Sequence, residues 1–117
     1  MQPKVIDVEQ LKKQVRRLAA GRVLSGDSAS VGLDLARADG FQACIKAGYG
    51  EQSTAPEKMA RDRLLWILDG YAEVHDDTGR MTAISQGEST VLKKGAAYRL
   101  HFPHLTLYLS VEAEGTG

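Results

Sequence analysis

Few side chains in this sequence of 117 residues are of the kinds that do chemistry. There are three histidines, His75, His101 and His104, and one cysteine, Cys44. His75 precedes Asp76-Asp77 at the end of a short apolar run, and His101 and His104 flank Phe102-Pro103, where a proline marks a turn. A metal site needs several imidazole, thiolate or carboxylate donors converging at bonding distance. A hairpin tip and a separate loop do not direct such a set, so the histidines read as surface or capping residues. A single cysteine excludes an intramolecular disulfide and any multi-cysteine metal site. On a strand, Cys44 reads as a small apolar side chain rather than a nucleophile. Asp76-Asp77-Thr78-Gly79 is a hairpin turn before it is an acid/base pair. Trp66 and Tyr71 read as core or interface rings. There is no Gly-rich phosphate loop, no Gly-x-Ser-x-Gly elbow and no Cys-x-x-Cys. Nucleotide hydrolysis, serine hydrolase chemistry and zinc ribbons are thereby set aside.

The chain that carries these residues is 43% apolar and 26% charged, with a net charge of zero. That composition suits one packed domain over residues 1–117. Zero net charge gives no global field to attract nucleic acid or anionic lipid. No apolar run is long enough to cross a bilayer, and MQPKVIDVEQLKKQ contains no hydrophobic signal core. A cytoplasmic protein without nucleic-acid or membrane partners is therefore expected.

The elements that must position the side chains follow from periodicity. Asp7 with Gln10 three residues on is a capping-box pattern. Val8, Leu11, Val15 and Leu18 then recur at helical spacing, and Gly21 ends the run. An amphipathic helix over 8–20 is predicted, with Lys12, Lys13, Arg16 and Arg17 on a solvated basic face. From residue 22 the period falls to two. Val31, Leu33 and Leu35 alternate with smaller or polar residues, and 37–40 is a turn. Phe41, Ala43, Ile45 and Ala47 take one face of the next strand; Gln42, Cys44 and Lys46 take the other. Residues 48–60 form a loop. Strands follow at 64–68, 71–75, 80–84, 89–92, 97–100 and 105–111, and 112–117 is a frayed tail. One helix and eight or more short strands make an all-β barrel or sandwich with a helical cap, the barrel spanning about 22–112.

Within that pattern, Leu64-Leu65-Trp66-Ile67-Leu68-Asp69-Gly70-Tyr71-Ala72-Glu73-Val74 resembles the strand-glycine-strand unit of the cupins. Gly87-Glu88-Ser89-Thr90-Val91-Leu92-Lys93-Lys94-Gly95 resembles their second motif, with Lys93 where the family has proline. The resemblance covers about residues 41–111. It implies a cupin-like double-stranded β-helix, a jelly roll with a cavity between its sheets. It also implies positions for four metal ligands, usually three histidines and a glutamate. Here those positions fall on Glu57 and Met59, or one residue earlier if the spacing is the longer variant, and on Arg63 and Tyr98, so none of the usual ligands is present. Arg63 is permanently cationic and offers no lone pair to a metal. Glu57 is placed to pair with Arg63 and form a polar pocket floor.

The resulting expectation is a metal-free, cofactor-free barrel that takes a small organic ligand, anionic or sugar-like, against Glu57, Met59, Arg63 and Tyr98. Three alternatives stay open. One is an epimerase or isomerase using Tyr98 and Glu57 as acid and base. Another is a metal enzyme with non-standard ligands. The third is a structural module whose apolar strand 105–111 pairs two copies into a homodimer, with the helix clamping across.

Overall fold

The computed structural model describes residues 5–24, 29–38, 40–53 and 55–113. Asp7 caps the helix as its sequence predicts: its Oδ1 accepts the Gln10 N–H at 3.1 Å. Helix α1 runs Val8–Leu24, past the expected stop at Gly21. An interior glycine costs a helix only about 1 kcal/mol, and Gly21 keeps an ordinary negative φ. The buried face is Val15 and Ala19, with Leu11 partly covered, whereas Leu18 is 55% exposed. An i, i+4, i+8 stripe built on Leu11 thus displaces the one that was read through Leu18. Lys13, Arg16 and Arg17 are exposed, but the Lys12 side chain is only 18% exposed and meets Glu9 at 3.3 Å, while Arg16 reaches Asp69 on the sheet at 2.5 Å.

Eight strands follow: β1 Ala29–Ala38, β2 Phe41–Glu51, β3 Glu57–Lys58, β4 Arg63–Asp69, β5 Tyr71–Asp76, β6 Met81–Ser85, β7 Ser89–Leu92 and β8 Ala97–Ala113. All pairings are antiparallel, and the main path is β1-β2-β8-β4-β7. The turn expected at 37–40 is tighter than predicted. Arg37 and Ala38 still pair with Gln42 and Phe41, and Gly40 turns with a positive φ of 97°; Asp39 lies outside the described residues. Asp76 closes the β5–β6 hairpin as a turn residue, its Oδ1 accepting from Thr78 N, Thr78 Oγ1 and Arg80 N at 2.9, 2.6 and 3.0 Å.

The larger correction concerns β8. No turn separates strands 97–100 and 105–111; one strand runs through His101, Phe102, Pro103 and His104. Its first half pairs with β3, β5 and the end of β2, its second half with β4 and the rest of β2. Between them the register against β2 slips, with Gly48 opposite Thr106 but Gly50 opposite Phe102. Pro103 sits in that slip, where a missing N–H costs no ladder bond. Glu112 and Ala113, expected in a frayed tail, belong to the same strand; residues 114–117 lie outside the described set.

Two cores result. Leu65, Ile67, Ala72, Val74, Ile84, Leu92, Phe102 and Tyr108 fill the barrel, with the Phe102 and Tyr108 rings stacked at 5.1 Å. Val15 and Ala19 of α1 cover Ile45, Ala47 and Leu107 on the outside of the sheet. The apolar face of strand 105–111, predicted as a dimer surface, is thus partly under the helix: Leu107 is 1% exposed and Leu105 packs on the same cluster. There the helix covers its own barrel.

The three glycines of the resemblance, Gly70, Gly87 and Gly95, all have positive φ, at 112°, 85° and 87°. At Gly70 a Cβ would also lie 2.6 Å from Thr106 Oγ1. Only glycine satisfies both demands at that corner.

Candidate functional site

Adjacent strands bring inward-facing side chains into rows across the sheet. The register aligns Gly32, Lys46, Tyr108 and Ile67 in one row. The next holds Asp34, Cys44, Ser110 and Leu65, and the third Gln42, Glu112, Arg63 and Leu92. The rows end in Ile67, Leu65 and Leu92 on one side and are mostly polar toward β1 and β2, with Arg63 entering the third row from β4. Where they meet, a cavity of about 170 Å³ opens, lined among others by Lys46, Glu57, Met59, Arg63, Tyr98 and Tyr108.

All four residues that the resemblance singled out therefore border one cavity. Arg63 begins β4 on the same face as the buried Leu65 and Ile67. Tyr98 and Leu100 lie on the inner face of β8 in step with Phe102. Glu57 is the cross-strand partner of Tyr98, and it is exposed at the rim. Met59 is held by its backbone, its N–H donating to Ala96 O at 2.8 Å and its carbonyl accepting from Gly95 N at 2.9 Å.

The expected Glu57–Arg63 pair does not form. Arg63 Nη2 meets Glu112 Oε1 at 3.4 Å, because those two residues are register partners on β4 and β8. Arg63 Nε–H is buried and has no hydrogen-bond partner among the described residues. Unmade bonds of this kind are costly, so they mark places where an acceptor is favoured.

Seven further lining residues were not singled out in the sequence, and two of them, Lys46 and Tyr108, bear on the chemistry. Lys46 sits on what alternation read simply as the other face of strand 41–47. That face looks into the barrel mouth, while Ala43, Ile45 and Ala47 go under the helix. Burial pushes the Lys46 ammonium below the usual lysine range, and the Arg63 guanidinium adds to the effect. Tyr108 was hidden in the strong Leu105–Val111 alternation; its signal was a large ring among the small polar residues Thr106 and Ser110. Burial pushes its phenol up to about 12, so it stays protonated. Cys44 donates to Asp34 Oδ1 at 3.2 Å. Burial pushes its thiol up, and Asp34 reinforces the shift. A protonated thiol is no nucleophile, in line with the structural reading of Cys44.

The donor set does not fit a divalent cation. A guanidinium and an ammonium border the cavity beside a phenol, a thioether and one rim carboxylate, and two cations repel a third. Among the described residues no three of His, Cys, Asp and Glu converge on one point. His75 lies 3.7 Å from Glu73 and His101 4.0 Å from Glu51, both outside the cavity lining. His104 is exposed.

Comparison with solved structures places this architecture. A protein from Neisseria meningitidis superposes with a TM-score of 0.69 at 18% identity, covering 95% of this chain and 100% of that one. A cupin-2 domain protein from Shewanella frigidimarina gives 0.66 at 14% identity, covering 86% and 98%. The EutQ protein of Clostridium difficile gives 0.64 at 18% identity, covering 74% and 68%. No protein-family model matches the sequence, and no curated protein matches it either. The chain has the cupin fold, a β-barrel with one N-terminal helix, and lacks the histidines that usually hold that fold's metal.

Proposed function

We propose that this cupin-fold protein binds a small organic anion, with the carboxylate on Arg63. The observation that carries the reading is the buried, unpartnered Arg63 Nε–H of a cavity-lining guanidinium. A carboxylate satisfies that donor and adds a charge-assisted bond. Lys46 brings a second positive group to the same cavity, and Tyr98 brings a hydroxyl. Size narrows the ligand. A cavity of about 170 Å³ lies below the ~300–1,000 Å³ of pockets for drug-sized molecules. It is close to the ~150 Å³ that admits a benzene-sized guest, so an acid of about three to five carbons fits.

Calorimetric titration with acids of about three to five carbons and their neutral amides tests this. The acids are expected to bind and the amides not. A hydrogen bond to a charged group contributes about 1.5–3 kcal/mol, so Arg63→Gln weakens binding roughly 10- to 100-fold. Equal binding of acid and amide, or no acid in the panel binding, would overturn the reading. Acid/base catalysis by Tyr98 and Glu57 is less supported. The two are neighbours on adjacent strands, not groups on opposite sides of a ligand. The homodimer expected from the sequence keeps an apolar surface on the outer faces of β4 and β7, where Trp66 and Val91 are each 44% exposed. Light scattering at micromolar concentration tests it.

A further inference from the structure

We propose that Lys46 forms an imine with the carbonyl of a small oxo acid whose carboxylate lies on Arg63. This rests on the anion-binding reading above and adds a covalent step to it.

Three observations carry the assignment. First, Lys46 and Arg63 border one cavity. A ligand with an acid at one end and a carbonyl further along engages both. Second, the Lys46 stem has a built resting place. Its neighbour on β1 is Gly32, where a Cβ would stand 2.9 Å from Lys46 Cγ. The missing side chain lets the stem lie on the strand. Third, the amine has no ion-pair partner among the described residues: no carboxylate there lies within ion-pairing distance of Lys46. The polar and charged groups of its surroundings include Ser30 from β1, Cys44 from its own strand, Glu57 from β3 at the rim, Arg63 from β4, and Tyr98, Tyr108 and Glu112 from β8, with Gly32 of β1 alongside. A half-buried lysine near a second cation holds more of its neutral, nucleophilic form. Its lowered pKa agrees with that environment.

The chemistry needs no co-reactant. The neutral amine attacks the carbonyl carbon; a C–N bond forms and the C=O π pair moves to oxygen. A proton passes from nitrogen to that oxygen, giving the carbinolamine. The C–O bond then breaks, and the second amine hydrogen leaves with the oxygen as water. The Tyr98 hydroxyl, on the cavity wall, can carry each proton across. Tyr108, the direct cross-strand partner of Lys46, stays protonated and can donate a hydrogen bond to the carbonyl oxygen.

The test is reductive trapping on the full chain. Pyruvate, acetoacetate or levulinate is added with borohydride, and the protein is read by intact mass and peptide mapping. One of these acids is expected to add a single reduced adduct at Lys46. An excess of the matching hydroxy acid, which binds but cannot condense, suppresses it. Lys46→Met and Lys46→Arg both abolish the adduct, the arginine variant keeping the charge and the stem. Gly32→Ala slows its formation about tenfold or more. Adducts scattered over exposed lysines such as Lys93 and Lys94, or none at Lys46, overturn the inference. Calorimetry on the same acids separates the two claims. Binding without trapping removes the imine and leaves the anion site; no binding removes both.

Discussion

Thr106→Val tests the corner on which the site geometry depends. Thr106 is fully buried, and its Oγ1 accepts the Tyr71 N–H at 3.2 Å. Its proton is shared between Tyr71 O at 2.9 Å and His104 O at 3.0 Å. The hydroxyl thus pins the Gly70 bend to β8 two residues before Tyr108 enters the cavity wall. Valine keeps the shape and removes the hydroxyl, leaving a buried donor and acceptor unmet at about 1–3 kcal/mol each, or about 2–4 kcal/mol after allowance for relaxation. Thr106→Ser keeps the hydroxyl and loses one methyl, at about 1 kcal/mol. With a urea m-value of about 2 kcal/mol/M, the midpoint falls by roughly 1–2 M for valine and about 0.5 M for serine. The assay is urea unfolding followed by circular dichroism, with unchanged slopes. A valine variant as stable as the serine variant would refute the reasoning.

Three further outcomes follow from the same structure. Gly70→Ala meets both a positive φ and Thr106, and is expected to cost more than Gly40→Ala, which has a positive φ but open space; the strain alone is about 1–3 kcal/mol, and thermal unfolding compares the pair. Tyr108 has a folded pKa raised to about 12, so its contribution is complete below the free-tyrosine value of about 10 and is lost as pH rises toward 12; Tyr108→Phe should flatten that alkaline decline. Asp76 has its carboxyl pushed down, chiefly by the Thr78 hydroxyl, so it stabilises above the ordinary carboxylate range of about 4 and less as pH falls below it; the stability gap between wild type and Asp76→Asn should shrink in acid.

How much of this was legible in the sequence depended on how local each signal was. The helix cap, the Asp76 turn and the three motif glycines are set by neighbours a few residues apart, and all were readable. The helix stripe was misjudged because Leu18 and Ala19 both suit helical spacing, and only the sheet beneath decides which is covered. The run through Pro103 read as a turn because proline usually ends a strand. The slip against β2 that tolerates it is a property of two strands together. At the site, the resemblance brought Glu57, Met59, Arg63 and Tyr98 to one cavity. It could not show that Arg63 faces Glu112, 49 residues away. Lys46 was overlooked because a polar face on a strand usually means solvent. In a barrel with a helix outside, the polar face can be the inner one.

The seventeen residues of β8 serve as hydrogen-bond partner to β2, β3, β4 and β5, all made earlier in the chain. Until that segment is synthesised, three longer strands expose edges that could pair with another nascent copy. Assembly must therefore wait on long-range closure rather than proceed hairpin by hairpin. The hazard during biosynthesis is intermolecular edge pairing, and it should be greatest while β2, β4 and β5 have emerged and β8 has not.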